Sequence, residues 1–274
     1  MIPVISLRDV VALSGRFPLL AGVTLDVQQC EIVHLRGANG AGKSSLLRML
    51  SGLVPITAGS AMVLGHDLVV DRISVRRELA LLGHASFLYD DLTVEDNVRF
   101  ALRASRAEGA RASRAEGARA SRAEGARASR AEGAAGSLTG ADGAQQALAR
   151  LGLAGRLRTT RVSRLSAGQR RRAAIAVVVA RRPRLWLLDE PHAGLDASGR
   201  LLVDELVLEA RDAGATIVFA SHELDNAERL ADRTVEVSGG RVVEVANEAP
   251  GATPLVDGVV GEPAHEEDIG VDVA

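Results

Sequence analysis

The chain has 274 residues, enough for one large core or a core with a small subdomain. A net charge of −2 gives no general electrostatic attraction to nucleic acid or an anionic membrane, and with aromatics at only 2% the interior must be built from Leu, Val, Ala and Ile. The single cysteine, Cys30, excludes an intrachain disulfide and suits a reducing compartment, and the longest apolar run, the eight residues Ala173–Ala180, falls far short of a spanning helix of roughly 20 residues. The first ten residues carry Arg8 and Asp9 and lack the apolar core of a signal peptide, so any membrane role is read as peripheral.

In chain order, residues 4–36 read as strands joined by turns, the last being Glu31–Leu35, which runs into Gly37. Lys43–Leu53 reads as a helix with Leu46, Leu47 and Leu50 on one face. Strand, glycine loop and helix in that order open an α/β unit. Residues 103–134 are four perfect copies of RASRAEGA, starting at Arg103, Arg111, Arg119 and Arg127. A period of eight matches no helix turn, and the unit has no large apolar side chain to bury. The expectation is a disordered or transiently helical surface insert of charge +4; the alternative is a basic arm for acidic lipid or RNA.

After the insert, Ala144–Leu157 and Arg170–Arg181 read as helices, Leu185–Leu188 and Ala215–Ala220 as apolar strands, and Ala197–Ala213 as the helix between those strands. Uniformly apolar strands of this kind belong to parallel sheets covered on both faces. Val235–Val237 and Val242–Val245 flank Ser238-Gly239-Gly240-Arg241 and predict a hairpin. From Asn247 onward acidic residues mix with Pro and Gly without a basic residue, and this tail is read as disordered.

Of 33 basic residues only Lys43 is a lysine. A compositional pressure that exchanged Lys for Arg everywhere else has spared one position, which points to a need for a compact ammonium. That lysine sits in Gly37-Ala38-Asn39-Gly40-Ala41-Gly42-Lys43-Ser44, a full match to GxxxxGK[ST], with Ser45 next in the chain. Glycines let backbone N–H groups turn toward phosphates, and the helix beginning near Gly42 aims its positive end at them. Lys43 would reach the β- and γ-phosphates of ATP, and Ser44 would supply an oxygen to Mg²⁺. Leu185-Trp186-Leu187-Leu188-Asp189-Glu190 is an apolar strand ending in two carboxylates. Asp189 is a candidate Mg²⁺ ligand, and Glu190 a candidate to orient and polarise the attacking water. Leu165-Ser166-Ala167-Gly168-Gln169 precedes a predicted helix and reads as a second anion-binding helix start, with an ordinary N-cap as the alternative for the bare pentapeptide.

These three elements in this order resemble the nucleotide-binding subunits of ABC transporters, whose signature usually reads LSGGQ where this chain has Ala167 third. The resemblance covers about residues 4–245 apart from the insert. It implies an α/β fold of ABC ATPase type: a P-loop NTPase core with a mostly parallel sheet, an antiparallel β subdomain, and a helical subdomain over about 84–181. The ATP-binding domain is then 1–246 and the tail 247–274. The resemblance further implies a head-to-tail homodimer, with ATP between the phosphate loop of one copy and Ser166, Ala167, Gly168 and Gln169 of the other. Asp196, in Ala193-Gly194-Leu195-Asp196, looks like the residue that crosses that interface. His222 looks like the switch histidine at the γ-phosphate. Phe17, the only aromatic ahead of the phosphate loop, is a candidate to stack on adenine, with core packing as the alternative.

Two positions depart from the family. His84 stands where a Gln is usual, and as an imidazole it can ligate metal or bond a water. Cys30 stands where a Gly commonly precedes the Glu, which implies a local change of turn. The family works with an integral membrane transporter subunit on another chain, which places this chain at the cytoplasmic face of the membrane and assigns it no nucleic acid. At finer grain, residues 82–84, 165–172 and 184–191 look like the ATP-binding protein of haem exporters in cytochrome c biogenesis. Drug or lipid exporters are the alternative, ahead of importers and of soluble ABC ATPases.

Overall fold

A computed structural model describes residues 3–105, 140–222, 227 and 229–244. The repeats beyond Ser105 and the acidic tail lie outside the described residues.

Two sheets organise the chain. The first is antiparallel, in the order β2 (Phe17–Val27), β1 (Ile5–Ser14), β4 (Ala58–Val63), β5 (His66–Asp67). The second runs β10 (Arg241–Glu244), β9 (Arg233–Ser238), β3 (Ile32–Arg36), β8 (Thr216–Ala220), β7 (Leu185–Asp189), β6 (Leu79–Leu82). Its strands pair in parallel except for the edge strand β10. Along β7 the side chains alternate between two cores, as a pleated strand covered on both faces must. Leu185 and Leu187 enter the core shared with the antiparallel sheet and α1 (Lys43–Leu50). Trp186 and Leu188 enter the core under α3 (94–105), α4 (Gly140–Arg150), α5 (Ala167–Arg181) and α6 (Ala197–Asp212). A short α2 (Arg72–Glu78) leads into β6. Both cores are aliphatic, and among the described residues Trp186 and Phe219 are their only Trp, Phe or Tyr members.

Several predicted boundaries shift for identifiable reasons. α1 ends at Leu50 instead of Leu53, because Gly52 turns to φ 70° and Ser51 N–H closes onto Leu47 O. The helix expected over Ala144–Leu157 is α4, and it stops at Arg150. Gly152 takes φ 68° and Leu153 N–H returns to Leu148 O, a left-handed helix end. A 3₁₀ turn over Gly155–Thr159 then takes the place of the last predicted helical turn. α5 starts three residues earlier than the apolar pattern indicates, because Ser166 caps it. The predicted hairpin forms: Gly239 and Gly240 both have positive φ (55° and 72°), as a two-residue primed turn requires. The parallel pairing brings the C-terminal ends of β3, β8 and β7 to one edge of the sheet, with β8 between the other two, and the site lies at that edge.

Candidate functional site

The phosphate loop joins β3 to α1. Gly37 has φ 147°, and a Cβ there would lie 2.1 Å from Val237 O, so only glycine fits. The hairpin turn presses on the loop from outside. Gly240 N–H donates to Ala41 O at 2.8 Å, Ala21 N–H donates to Gly240 O at 2.8 Å, and a Cβ on Gly240 would lie 2.8 Å from Leu19 O. Gly42 leads into α1 without any side-chain cap, and no acidic residue occupies the first turn, so the free N–H groups of that helix end are open to an anion. Lys43, the first residue of α1, is 6% exposed. Its ammonium donates to Gly37 O at 2.6 Å and Ala38 O at 3.1 Å.

Two carboxylates meet the loop from β7. Ser44 Oγ donates to Asp189 Oδ1 at 3.0 Å. Glu190 comes next in a left-handed conformation, φ 52°, which costs a residue with a full side chain about 1–3 kcal/mol. Its backbone N–H donates to Ala220 O at 2.9 Å, extending the β7–β8 ladder by one residue. Its carboxylate accepts from His222 N–H at 3.3 Å and lies 3.2 Å from His222 Nε2. β8 thus delivers His222 to the end of β7.

One cavity of about 660 Å³ gathers Asn39, Gly40, Ala41, Gly42, Lys43, Ser44, Ser45, His84, Asp189, Glu190 and His222, and that volume suits a nucleotide-sized ligand. Gly37 and Ala38 contribute through the carbonyls that hold Lys43. Phe17 is 77% exposed at the start of β2, so it is no core residue, and its neighbours Pro18 and Leu19 line the cavity. Ser44 and Asp189 present a hydroxyl and a carboxylate oxygen together, the hard donors that Mg²⁺ takes beside substrate phosphates. Among the described residues no cluster of three His, Cys, Asp or Glu could hold a metal by protein ligands alone.

The remaining predicted residues form a separate surface. Ser166 and Gln169 close a capping box on α5: Ser166 Oγ accepts from Gln169 N–H at 3.2 Å, and Gln169 Oε1 accepts from Ser166 N–H at 3.0 Å. Ala167 is exposed beside them. Gly168 sits against Gly194, whose carbonyl would lie 3.0 Å from an added Cβ. Asp196 caps α6 by accepting from Gly199 N–H at 2.9 Å, and it pairs with Arg172 at 2.9 Å. The Gly199 amide, with Arg172 beside it, holds the Asp196 carboxyl below the usual carboxylate range. None of Ser166, Ala167, Gly168, Gln169 and Asp196 lines the cavity.

Sequence reasoning passes over Pro18, Leu19, Gly239 and Gly240, which line the cavity from β2 and the hairpin turn. It also passes over Arg171, the buried member of an Arg170-Arg171-Arg172 run. Successive helical residues point about 100° apart. Arg170 accordingly pairs with Asp90 and Arg172 with Asp196, while Arg171 turns into the protein. Nothing in a run of three identical residues marks the middle one.

A family profile described as ABC transporter matches residues 20–193. The chain belongs to the ABC transporter family. This ABC chain carries the family's ATP-hydrolysing domain and its fold. It is 32% identical over 225 residues to the phospholipid-transporting ATPase ABCA7 of Homo sapiens, covering 82% of this chain and 9% of that protein. It is 34% identical over 266 residues to the sn-glycerol-3-phosphate import ATP-binding protein UgpC 1 of Rhizobium johnstonii, covering 95% of this chain and 64% of that one. The chain therefore spans about a tenth of the ABCA7 relative and less than two thirds of the import protein. Among solved structures, the ATP-binding cassette MJ0796, a dimer in a post-hydrolysis state bound to ADP and Pi, superposes with a TM-score of 0.71 at 21% identity, over 89% of this chain and 99% of that one. That likeness shows the fold. No described helix is long and apolar enough to cross a membrane.

Proposed function

We propose that this ABC chain is the motor of a membrane transporter: it binds ATP with Mg²⁺ in the cavity at the ends of β3 and β7, hydrolyses it, and drives an integral membrane subunit from the cytoplasmic face. The observation that carries the reading is the meeting of Lys43, Ser44, Asp189, Glu190 and His222 in one cavity, drawn from three separate stretches of chain. Lys43 and the open N–H groups of α1 receive the β- and γ-phosphates. Ser44 and Asp189 would hold Mg²⁺, which when bound neutralises charge on the phosphate oxygens. Glu190 accepts a hydrogen bond from the attacking water and polarises it, and His222 steadies that carboxylate while facing the γ-phosphate. His84, at the cavity wall, serves as a bond to water or metal. Phe17, exposed next to Pro18 and Leu19, offers adenine a face.

Ser166, Ala167, Gly168, Gln169 and Asp196 complete the site of a second copy in a head-to-tail homodimer. Their grouping on one surface away from the cavity supports this. So does the Ser166 hydroxyl: it accepts the helix cap and retains its own proton to donate across the interface. The domains on this reading are 1–246 for ATP binding and 247–274 for the tail.

Export, and haem export in particular, rests on the residue runs 82–84, 165–172 and 184–191. The chain's relatives include an import protein and a phospholipid-transporting ATPase. A mild-detergent pull-down from native membranes with an absorbance scan separates these. A membrane partner with a haem band supports haem export, and one without it moves the cargo elsewhere while leaving the motor intact. Recovery without any membrane partner overturns the transporter reading. For the chemistry, Glu190→Gln should keep ATP binding and lower turnover at least about a hundredfold. Undiminished turnover would assign the water to another group.

A further inference from the structure

Arg171 is 7% exposed, and its guanidinium donates to four backbone carbonyls. Nη1 donates to Gly83 O at 2.8 Å. Nη2 donates to Asp189 O at 2.7 Å and, in a shorter contact, to Glu190 O. Nε donates to Pro191 O at 3.4 Å. Four of the five guanidinium donors are thereby used. Burial pushes this guanidinium below its ordinary value, and the nearby Asp189 and Glu190 carboxylates oppose that shift.

The acceptors are what matter. Gly83 precedes His84. Asp189 and Glu190 are the two carboxylates at the end of β7, and Glu190 is the residue held at φ 52°. Pro191 begins the turn that leads to Gly194 and Asp196. Arg171 itself lies on α5, one turn and a little beyond the Ser166 cap. Two segments of the cavity wall and the helix carrying the separate surface are thus joined through one side chain. The planar fork spans acceptors that a single ammonium cannot reach together.

We infer that Arg171 is the positioning residue for hydrolysis: it holds Glu190 in its left-handed conformation and makes the capped end of α5 move as one body with the Asp189–Pro191 backbone. Events at Ser166 and Gly168, on the surface offered to a second copy, then reach the water-handling carboxylate of the same chain without a hinge between them. The inference rests on the proposed role of Glu190 in handling the water.

The test compares Arg171→Lys, Glu190→Gln and the double variant. Arg171→Lys should lower kcat about tenfold or more while the KM for ATP stays within about twofold, because the phosphate loop is untouched. In the Glu190→Gln background the same change should cost nothing further, since both act through one carboxylate. Undiminished kcat in Arg171→Lys, or losses that multiply in the double variant, would overturn the positioning role. If Glu190→Gln alone turns over normally, the reading of Glu190 fails on its own, whatever Arg171→Lys does. Should the lysine variant not fold, native-state hydrogen exchange on the unaltered chain decides. The amides of Ala193 and Leu195, bonded to Glu190 O and His192 O, should open together with those of α5. Their opening well before α5 would break the proposed link.

Discussion

Lys43 shows what one residue can reveal. Its isolation among 32 arginines marks it in the sequence, and the fold shows a buried, compact ammonium held by Gly37 O and Ala38 O at 2.6 and 3.1 Å. On the proposed reading Lys43→Ala removes two charge-assisted phosphate contacts at about 1.5–3 kcal/mol each, so ATP affinity should fall by more than about a hundredfold, as read by calorimetry. Lys43→Arg should lose affinity as well, and ordinary binding by either variant would remove this lysine from the phosphate site. Arg171 is the opposite case. Its neighbours in sequence are also arginine, so its burial is invisible until α5 is set against β7. Phe17 is intermediate: sequence position nominates it, and its exposure removes core packing and leaves the adenine face as the proposal.

At the scale of elements, the starts of α1 and α5 are built in contrasting ways. α1 begins on glycine with its N–H groups open, which suits phosphate. α5 begins in a closed capping box, so the Ser166–Gln169 segment is held by two hydrogen bonds of its own. Ser166→Ala should lower stability by about 1 kcal/mol, seen as a lower Tm, and leave ATP binding by the single chain unchanged. Ser166→Asp restores the cap and the Tm but brings a negative charge to the proposed interface, so ATP-dependent dimerisation should fail in both. Dimerisation that survives in the aspartate variant would place the nucleotide contact elsewhere. The β9–β10 hairpin is legible from its Gly-Gly turn. Its service as the outer wall of the phosphate loop is not, because Gly240 and Ala41 are brought together only by the pairing of β9 with β3.

At the scale of the whole molecule, one mostly parallel sheet divides two aliphatic cores, and Lys43, Ser44, Asp189, Glu190 and His222 gather at the C-terminal ends of its strands while Ser166–Gln169 and Asp196 lie apart. The repeat segment enters from α3, where Leu102 still packs on the second core and Ser105 Oγ bonds Ala101 O. Excision should therefore spare the first unit. Removing residues 111–134 deletes three units and takes the net charge from −2 to −5, since each unit carries two Arg and one Glu. Tm should move by less than about 2 °C, equivalent to less than about 1 kcal/mol, and ATPase activity should not change. A larger fall in either would assign the repeats a structural role.

Taken alone, the sequence determined whatever depends on near neighbours in the chain: the loop that turns on its own glycines, the lysine and serine at its end, the apolar strand that ends in two carboxylates, and most helix and strand spans. Spacing along a backbone settles these, because periods of two and 3.6 and the φ freedom of glycine are local properties. Only the tertiary structure decided which distant pieces touch. Val237 closes on Gly37, His222 meets Glu190, and Arg171 binds Gly83 across 88 positions. Those contacts arise from strand order and register, which are set when both cores are buried at once, and no single segment carries that information.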